Sequence, residues 1–163
     1  MSTQTASTSV QTSIVVDAPI DRAFKIFTED MASWWPPDHH ILEGELAEMV
    51  FEPRVGGAIY DRATDGNVCQ WARVLAYEPP NRLVFSWDIS LQWKAETDPA
   101  RTSEVEVRFV AESDSRTRVE LEHRNLDRHG PGWEQMRDAV GSPGGWNAVV
   151  GRFADRLATA AAD

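Results

Sequence analysis

The chain has 163 residues, enough to bury one substantial hydrophobic core and short for two ordinary domains. Its 16 Lys and Arg against 26 Asp and Glu give a formal net charge of -10, which disfavours nucleic acid and acidic membrane surfaces as partners. A single cysteine, Cys69, rules out an internal disulfide and reads as a small core residue rather than a nucleophile.

Met1 to Thr12 is rich in Ser, Thr and Gln, with no basic cluster and no long apolar run, so neither a signal peptide nor a spanning helix is expected there. The expectation is a cytoplasmic protein with a disordered tail over residues 1–9 and a single domain over 10–163. The β-branched run Val10 to Val16 predicts a strand, which Asp17-Ala18-Pro19 stops. Asp17 is placed to cap a helix that starts near Pro19 and carries Ile20, Ala23, Phe24 and Phe27 at helical spacing. A second turn carrying Met31, Trp34 and Trp35 should end at Pro36-Pro37.

Six strand-like runs follow, each separated by turn residues, as in an antiparallel meander. They are 44–52, 58–63, 68–77, 82–87, 103–111 and 116–124. In the last two, Val105, Val107 and Phe109, then Val119, Leu121 and His123, alternate with charged residues, so one face is covered and the Glu row meets solvent and arginines. The irregular segment 89–101 is read as a mobile connection bordering a cavity mouth. Trp133, Met136, Arg137 and Val140 predict a short helix ended by Gly141. Ser142 and Pro143 then read as the N-terminal signals of a longer helix. Its stripe of Trp146, Val149, Val150, Phe153 and Leu157 must be covered, and the buried face of the sheet is the surface available.

This order of pieces resembles the START-like or SRPBCC superfamily, and within it the group related to the activator of the heat-shock-protein-ninety ATPase. The stretches that carry the likeness include Val16-Asp17-Ala18-Pro19, the run from Phe51 to Gly57, the run from Trp71 to Leu75 and Glu78-Pro79-Pro80. Arg82 to Trp87, Thr102 to Phe109, Thr117 to Arg124 and Gly144-Gly145-Trp146 continue it. The resemblance implies an α+β helix-grip fold, with about seven antiparallel strands curved around the C-terminal helix and two short helices after the first strand. It also implies an internal pocket for an apolar molecule, and for some branches cyclase- or hydrolase-like chemistry.

Candidate lining residues come from the sheet, the helix stripe and the tryptophans. Trp34, Trp35, Trp71, Trp87 and Trp146 are the aromatic set. From the strands come Phe85, Val107, Phe109, Leu121 and His123, and from the last helix Val150, Phe153 and Leu157. His123 reads first as a hydrogen-bonded core histidine and second as a ligand contact. Glu52 to Gly57 reads as a structural turn in which Glu52 and Arg54 pair, because no helix follows to make a phosphate loop. His39 and His40 are adjacent and face opposite ways, without a metal-ligand set around them. No catalytic residue, metal or cofactor is assigned. The expected partner is a small apolar molecule. A chaperone or other protein is the alternative partner, a second copy of the chain a further one, and an enzyme built on pocket polar groups ranks last.

Overall fold

The computed structural model describes residues 8–36 and 39–161, so most of the expected tail lies outside the described residues. Seven strands form one antiparallel sheet: β1 (Val10–Val16), β2 (Leu46–Phe51), β3 (Ala58–Ala63), β4 (Val68–Glu78), β5 (Arg82–Trp87), β6 (Ser103–Ser113) and β7 (Arg116–Arg124). Their spatial order is β1-β7-β6-β5-β4-β3-β2, a meander of consecutive hairpins with β1 added beside β7. Helices α1 (Ile20–Thr28) and α2 (Met31–Trp34) carry the chain from β1 at one edge to β2 at the other. Helices α3 (Trp133–Val140) and α4 (Trp146–Ala161) complete the chain.

The alternation seen in the sequence sets the register. Val105 pairs with His123, Val107 with Leu121 and Phe109 with Val119, so both strands send one row to the same side. Bulges interrupt the pairing of β2 with β3, β3 with β4, β4 with β5 and β6 with β7. Each extra residue adds local bend and twist, which curves the sheet into the hollow that α4 fills.

On α4, Trp146, Val149, Val150, Phe153 and Leu157 are all buried, while Asp155 is exposed, as the stripe requires. Phe153 packs edge-on against Phe27 at 5.1 Å, and Phe27 does the same against Phe109 at 5.6 Å, so helix, α1 and sheet meet through one aromatic chain. Polar ties fix the helix axially. Arg152 donates to the Trp34 carbonyl at 2.9 Å, and Arg156 pairs with Asp30 at 3.0 Å.

The outer face carries the expected charge rows. Arg124 contacts Glu104 and Glu106 at 3.2 and 2.9 Å, and Arg82 also reaches Glu106. Burial pushes the Glu106 carboxyl up, but Arg82, Arg108 and Arg124 together hold it below its ordinary value. Glu52 and Arg54 pair at 3.5 Å.

Two capping expectations are corrected. Asp17 makes no cap. Pro19 stands at the N-terminal boundary of α1 without a side-chain cap, and the exposed Asp17 faces Arg116 at 3.5 Å. Ser142 does not open α4 either, because its hydroxyl donates backwards to the Ala139 carbonyl at 2.7 Å and so closes α3. A turn through Pro143-Gly144-Gly145 intervenes, and α4 starts at Trp146.

Candidate functional site

Under the middle of α4 the interior is filled. Trp34 packs on Phe27 at 4.9 Å and on Phe153 at 5.4 Å, and its indole N–H donates to the Ile26 carbonyl at 2.9 Å. Phe109 meets Phe24 at 5.1 Å, and Val107, Leu121, Val150 and Leu157 are buried in the same core. The open space lies instead at the N-terminal end of α4. A cavity of about 310 Å³ is bounded there by Trp35 and Ile41 of the α2–β2 connection, Trp87 and Ile89 at the end of β5, Val140 of α3, and Trp146 and Val149 of α4. His39, His40, Trp93, Ala139, Gly144 and Gly145 complete the wall.

Of the residues singled out in the sequence, Trp35, Trp87 and Trp146 therefore line the cavity directly. Trp71 stands behind them, 5.0 Å from Trp35 and 5.9 Å from Trp87, with Phe85 edge-on to it at 6.3 Å. Trp146 lies 5.5 Å from Trp87 and 6.0 Å from Trp35, so the wall is a continuous set of tilted indoles. Segment 89–101 does reach the cavity, through Ile89 and Trp93. Trp93 is 46% exposed and sits at φ 60°, a left-handed conformation that costs a tryptophan of order 1–3 kcal/mol and places its ring on the rim.

His123 is fully buried behind Trp146, and its two nitrogens are both used. The Trp146 indole N–H donates to Nδ1 at 3.0 Å. An indole nitrogen can only donate, so Nδ1 carries no proton and neutral His123 is protonated at Nε2. That N–H donates to Ser103 Oγ at 2.7 Å. The Ser103 hydroxyl must then give its own proton to His129 Nε2, also at 2.7 Å. His129 is left with its proton on Nδ1, a buried donor for which no partner exists among the described residues. The direction of every bond in this array is thus set from the cavity wall inwards, with both imidazoles neutral. Burial, reinforced by His129, lowers the His123 pKa from 6.5 to about 3. Burial lowers that of His129 too, against the opposing pull of Glu96 and Asp88.

A second polar pair faces the other flank. His40 Nδ1 lies 2.7 Å from Oδ2 of Asp61, a carboxylate on β3 that is fully buried. Sequence reading missed Ser103, His129 and Asp61. For Asp61 a signal existed, since alternation along β3 puts it on the covered row with Ile59 and Ala63. Ser103 carried the same signal, in step with Val105, Val107 and Phe109 on the covered row of β6, whereas His129, in the turn after β7, carried none.

A bent antiparallel sheet, a helix held in its hollow and an aromatic cavity at the helix end define a helix-grip domain with an interior of small-molecule size. The chain belongs to the family described as Activator of Hsp90 ATPase homolog 1-like protein, whose profile matches residues 17–158. Among solved structures it is similar to an anthrahydroquino-gamma-pyrone synthase, Txn09, complexed with SUM. The identity is 40%, over 90% of this chain and 95% of that one, with a TM-score of 0.64. It is also similar to CalC, a self-sacrificing resistance protein from Micromonospora echinospora, at 27% identity over 91% and 93% of the two chains, TM-score 0.63. Protein NE0264 from Nitrosomonas europaea shares the fold at 16% identity, over 98% of this chain and 100% of that one, TM-score 0.67. No curated protein sequence matches the chain. None of the helices among the described residues is long and apolar enough to cross a membrane.

Proposed function

We propose that the protein binds a small, mainly apolar, ring-containing molecule in the cavity at the N-terminal end of α4. The observation that carries this is the wall itself: about 310 Å³ lined chiefly by Trp35, Trp87, Trp146, Ile41, Ile89, Val140 and Val149. Flat aromatic surfaces at tilted angles suit a flat ligand. Burying ~200 Å² of its apolar surface contributes roughly 5 kcal/mol before ordering costs. The resemblance at 40% identity to an anthrahydroquino-gamma-pyrone synthase complexed with SUM supports the same reading.

The experiment is native mass spectrometry of freshly purified protein, paired with titration of small aromatic probes followed by tryptophan fluorescence. A co-purifying molecule or saturable quenching is the expected result. A Cβ added at Gly144 meets no atom within 4 Å, so Gly144→Phe is tolerated by the backbone and puts a ring at the cavity wall. That variant should fold normally and bind at least about tenfold more weakly, a loss of about 1.4 kcal/mol. Unchanged affinity in folded Gly144→Phe would place the ligand elsewhere.

A second reading is favoured by the same relative's synthase activity: ring-forming chemistry on the bound molecule. Its test is whether the molecule recovered from the protein, or a precursor of it, is converted by fresh protein at a rate that Gly144→Phe reduces.

A further inference from the structure

His40 is one of two titratable residues in the cavity wall, the other being its neighbour His39. Its Nδ1 faces Asp61 Oδ2 at 2.7 Å, and a carboxylate accepts, so a neutral ring here carries its proton on Nδ1 and its lone pair on Nε2. Asp61 comes from β3 and is wholly buried, while the His40 side chain retains 10% exposure. Among the described residues Asp61 Oδ1 accepts no hydrogen bond, so the carboxylate's sole polar partner there is His40. A fully buried carboxylate with one imidazole contact is a costly way to tie a loop to a sheet, and an amide would make the same link without charge. What the charge adds is the capacity to stabilise an imidazolium.

Two ionisable neighbours of this pair do not compete for that role. Cys69 lies opposite Asp61 on β4, and its thiol is pushed up, by burial first and by Asp61 second, so it stays protonated. Glu48 of β2, which lines a second pocket that His40 also borders, is paired with Arg62. The rest of the cavity wall is uncharged.

We propose that His40, oriented by Asp61, is a proton acceptor for an acidic hydroxyl on the cavity's ligand, which makes the ligand class a phenol or enol carried on an apolar ring system. The proton leaves the ligand oxygen, whose electron pair stays behind as phenolate or enolate. It bonds to Nε2, and the resulting imidazolium is neutralised by Asp61, so net charge is conserved. The proposal rests on the cavity being a ligand site. It goes further in fixing the ligand's chemistry and in giving the protein a way to activate the molecule as a nucleophile.

para-Nitrophenol tests it, because its phenolate has an absorption band that the neutral phenol lacks. Equilibrium dialysis measures binding, and absorbance of the bound fraction measures ionisation. The chosen pH is about one unit below the probe's own midpoint, where roughly a tenth is ionised in water. The expected result is a bound probe at least half ionised. Asp61→Asn keeps an acceptor for Nδ1, and with it the loop tie, yet should lower the ratio of bound phenolate to phenol at least tenfold; His40→Gln should do the same. In both variants the apolar wall then leaves the bound probe less ionised than in water. Probe bound to the wild type as neutral phenol, or equal ionisation in folded Asp61→Asn, overturns the proton-acceptor role and leaves the cavity reading standing. A failure to bind this or any other aromatic probe overturns both.

Discussion

Acidification from pH 7 to pH 4.5 should lower the free energy of unfolding by roughly 3 kcal/mol through His123 alone. Its pKa falls from 6.5 to about 3 on folding because the ring is fully buried and stands beside His129. Between those values the unfolded chain binds a proton that the folded chain refuses, so stability rises with pH across the window. The contribution is fully present above 6.5 and shrinks as pH falls; the loss reaches about 4 kcal/mol at pH 3 and levels off near about 5 kcal/mol below it. Glu106 acts in the same direction but lower down. Its depressed carboxyl contributes stability that is lost only as pH falls below the ordinary carboxylate range, so the interval above 4.5 isolates the histidines.

Urea unfolding at stepped pH is the measurement, and His123→Leu is the comparison. That variant is less stable at pH 7, since the Trp146 N–H and the Ser103 hydroxyl lose a partner. Its stability should nevertheless vary less between pH 6.5 and 4.5, the remaining slope coming from His129. Equal slopes in the two proteins would remove His123 as the source. In the folded protein His123 takes up its proton only near pH 3, and a proton on Nδ1 cannot coexist with the Trp146 hydrogen bond. Probe affinity should therefore hold between pH 6.5 and 4.5 and fall only as pH approaches 3, where the indole at the cavity wall is released from its anchor.

The sheet was legible because alternation is a local signal. Predicted and observed limits coincide for β7, where inward and charged residues alternate without interruption, and for β3 and β5, where turn residues on either side mark the ends. They differ by a residue or two in β2, β4 and β6, where bulges and turns decide the ends. The helix starts were misread at Asp17 and Ser142 for a shared reason: each has the chemistry of a cap, but neighbouring packing places the first turn elsewhere. For the site, residue type identified the tryptophans and covering identified the α4 stripe, yet neither gives volume. Whether Phe153 or Trp146 borders empty space depends on how Phe27, Trp34 and Phe109 fill the middle of the hollow. The array of His123, Ser103 and His129 joins β7, β6 and the turn after β7, and nothing in the spacing of those residues announces it.

Gly145→Ala should be among the most damaging single-methyl changes in the chain, costing more than the ~1–3 kcal/mol of ordinary overpacking. A Cβ at Gly145 would lie 2.2 Å from the Val140 carbonyl oxygen, 2.5 Å from its carbon and 2.8 Å from the Ala139 carbonyl oxygen. All three are backbone atoms at the end of α3, so no rotamer change relieves the overlap. The C-terminal turn of α3 and the first turn of α4 would have to separate, and those turns supply Ala139, Val140, Trp146 and Val149 to the cavity wall. Loss of ligand affinity should therefore accompany loss of stability. Gly144→Ala is the control one residue away, where an added Cβ touches nothing within 4 Å, and it should unfold within about 0.5 kcal/mol of the wild type. Thermal or urea unfolding of the two variants decides the matter. A Gly145→Ala protein as stable as Gly144→Ala would mean that α3 and α4 are not held together as closely as this contact requires, and the rigid wall on which the ligand site depends would go with it.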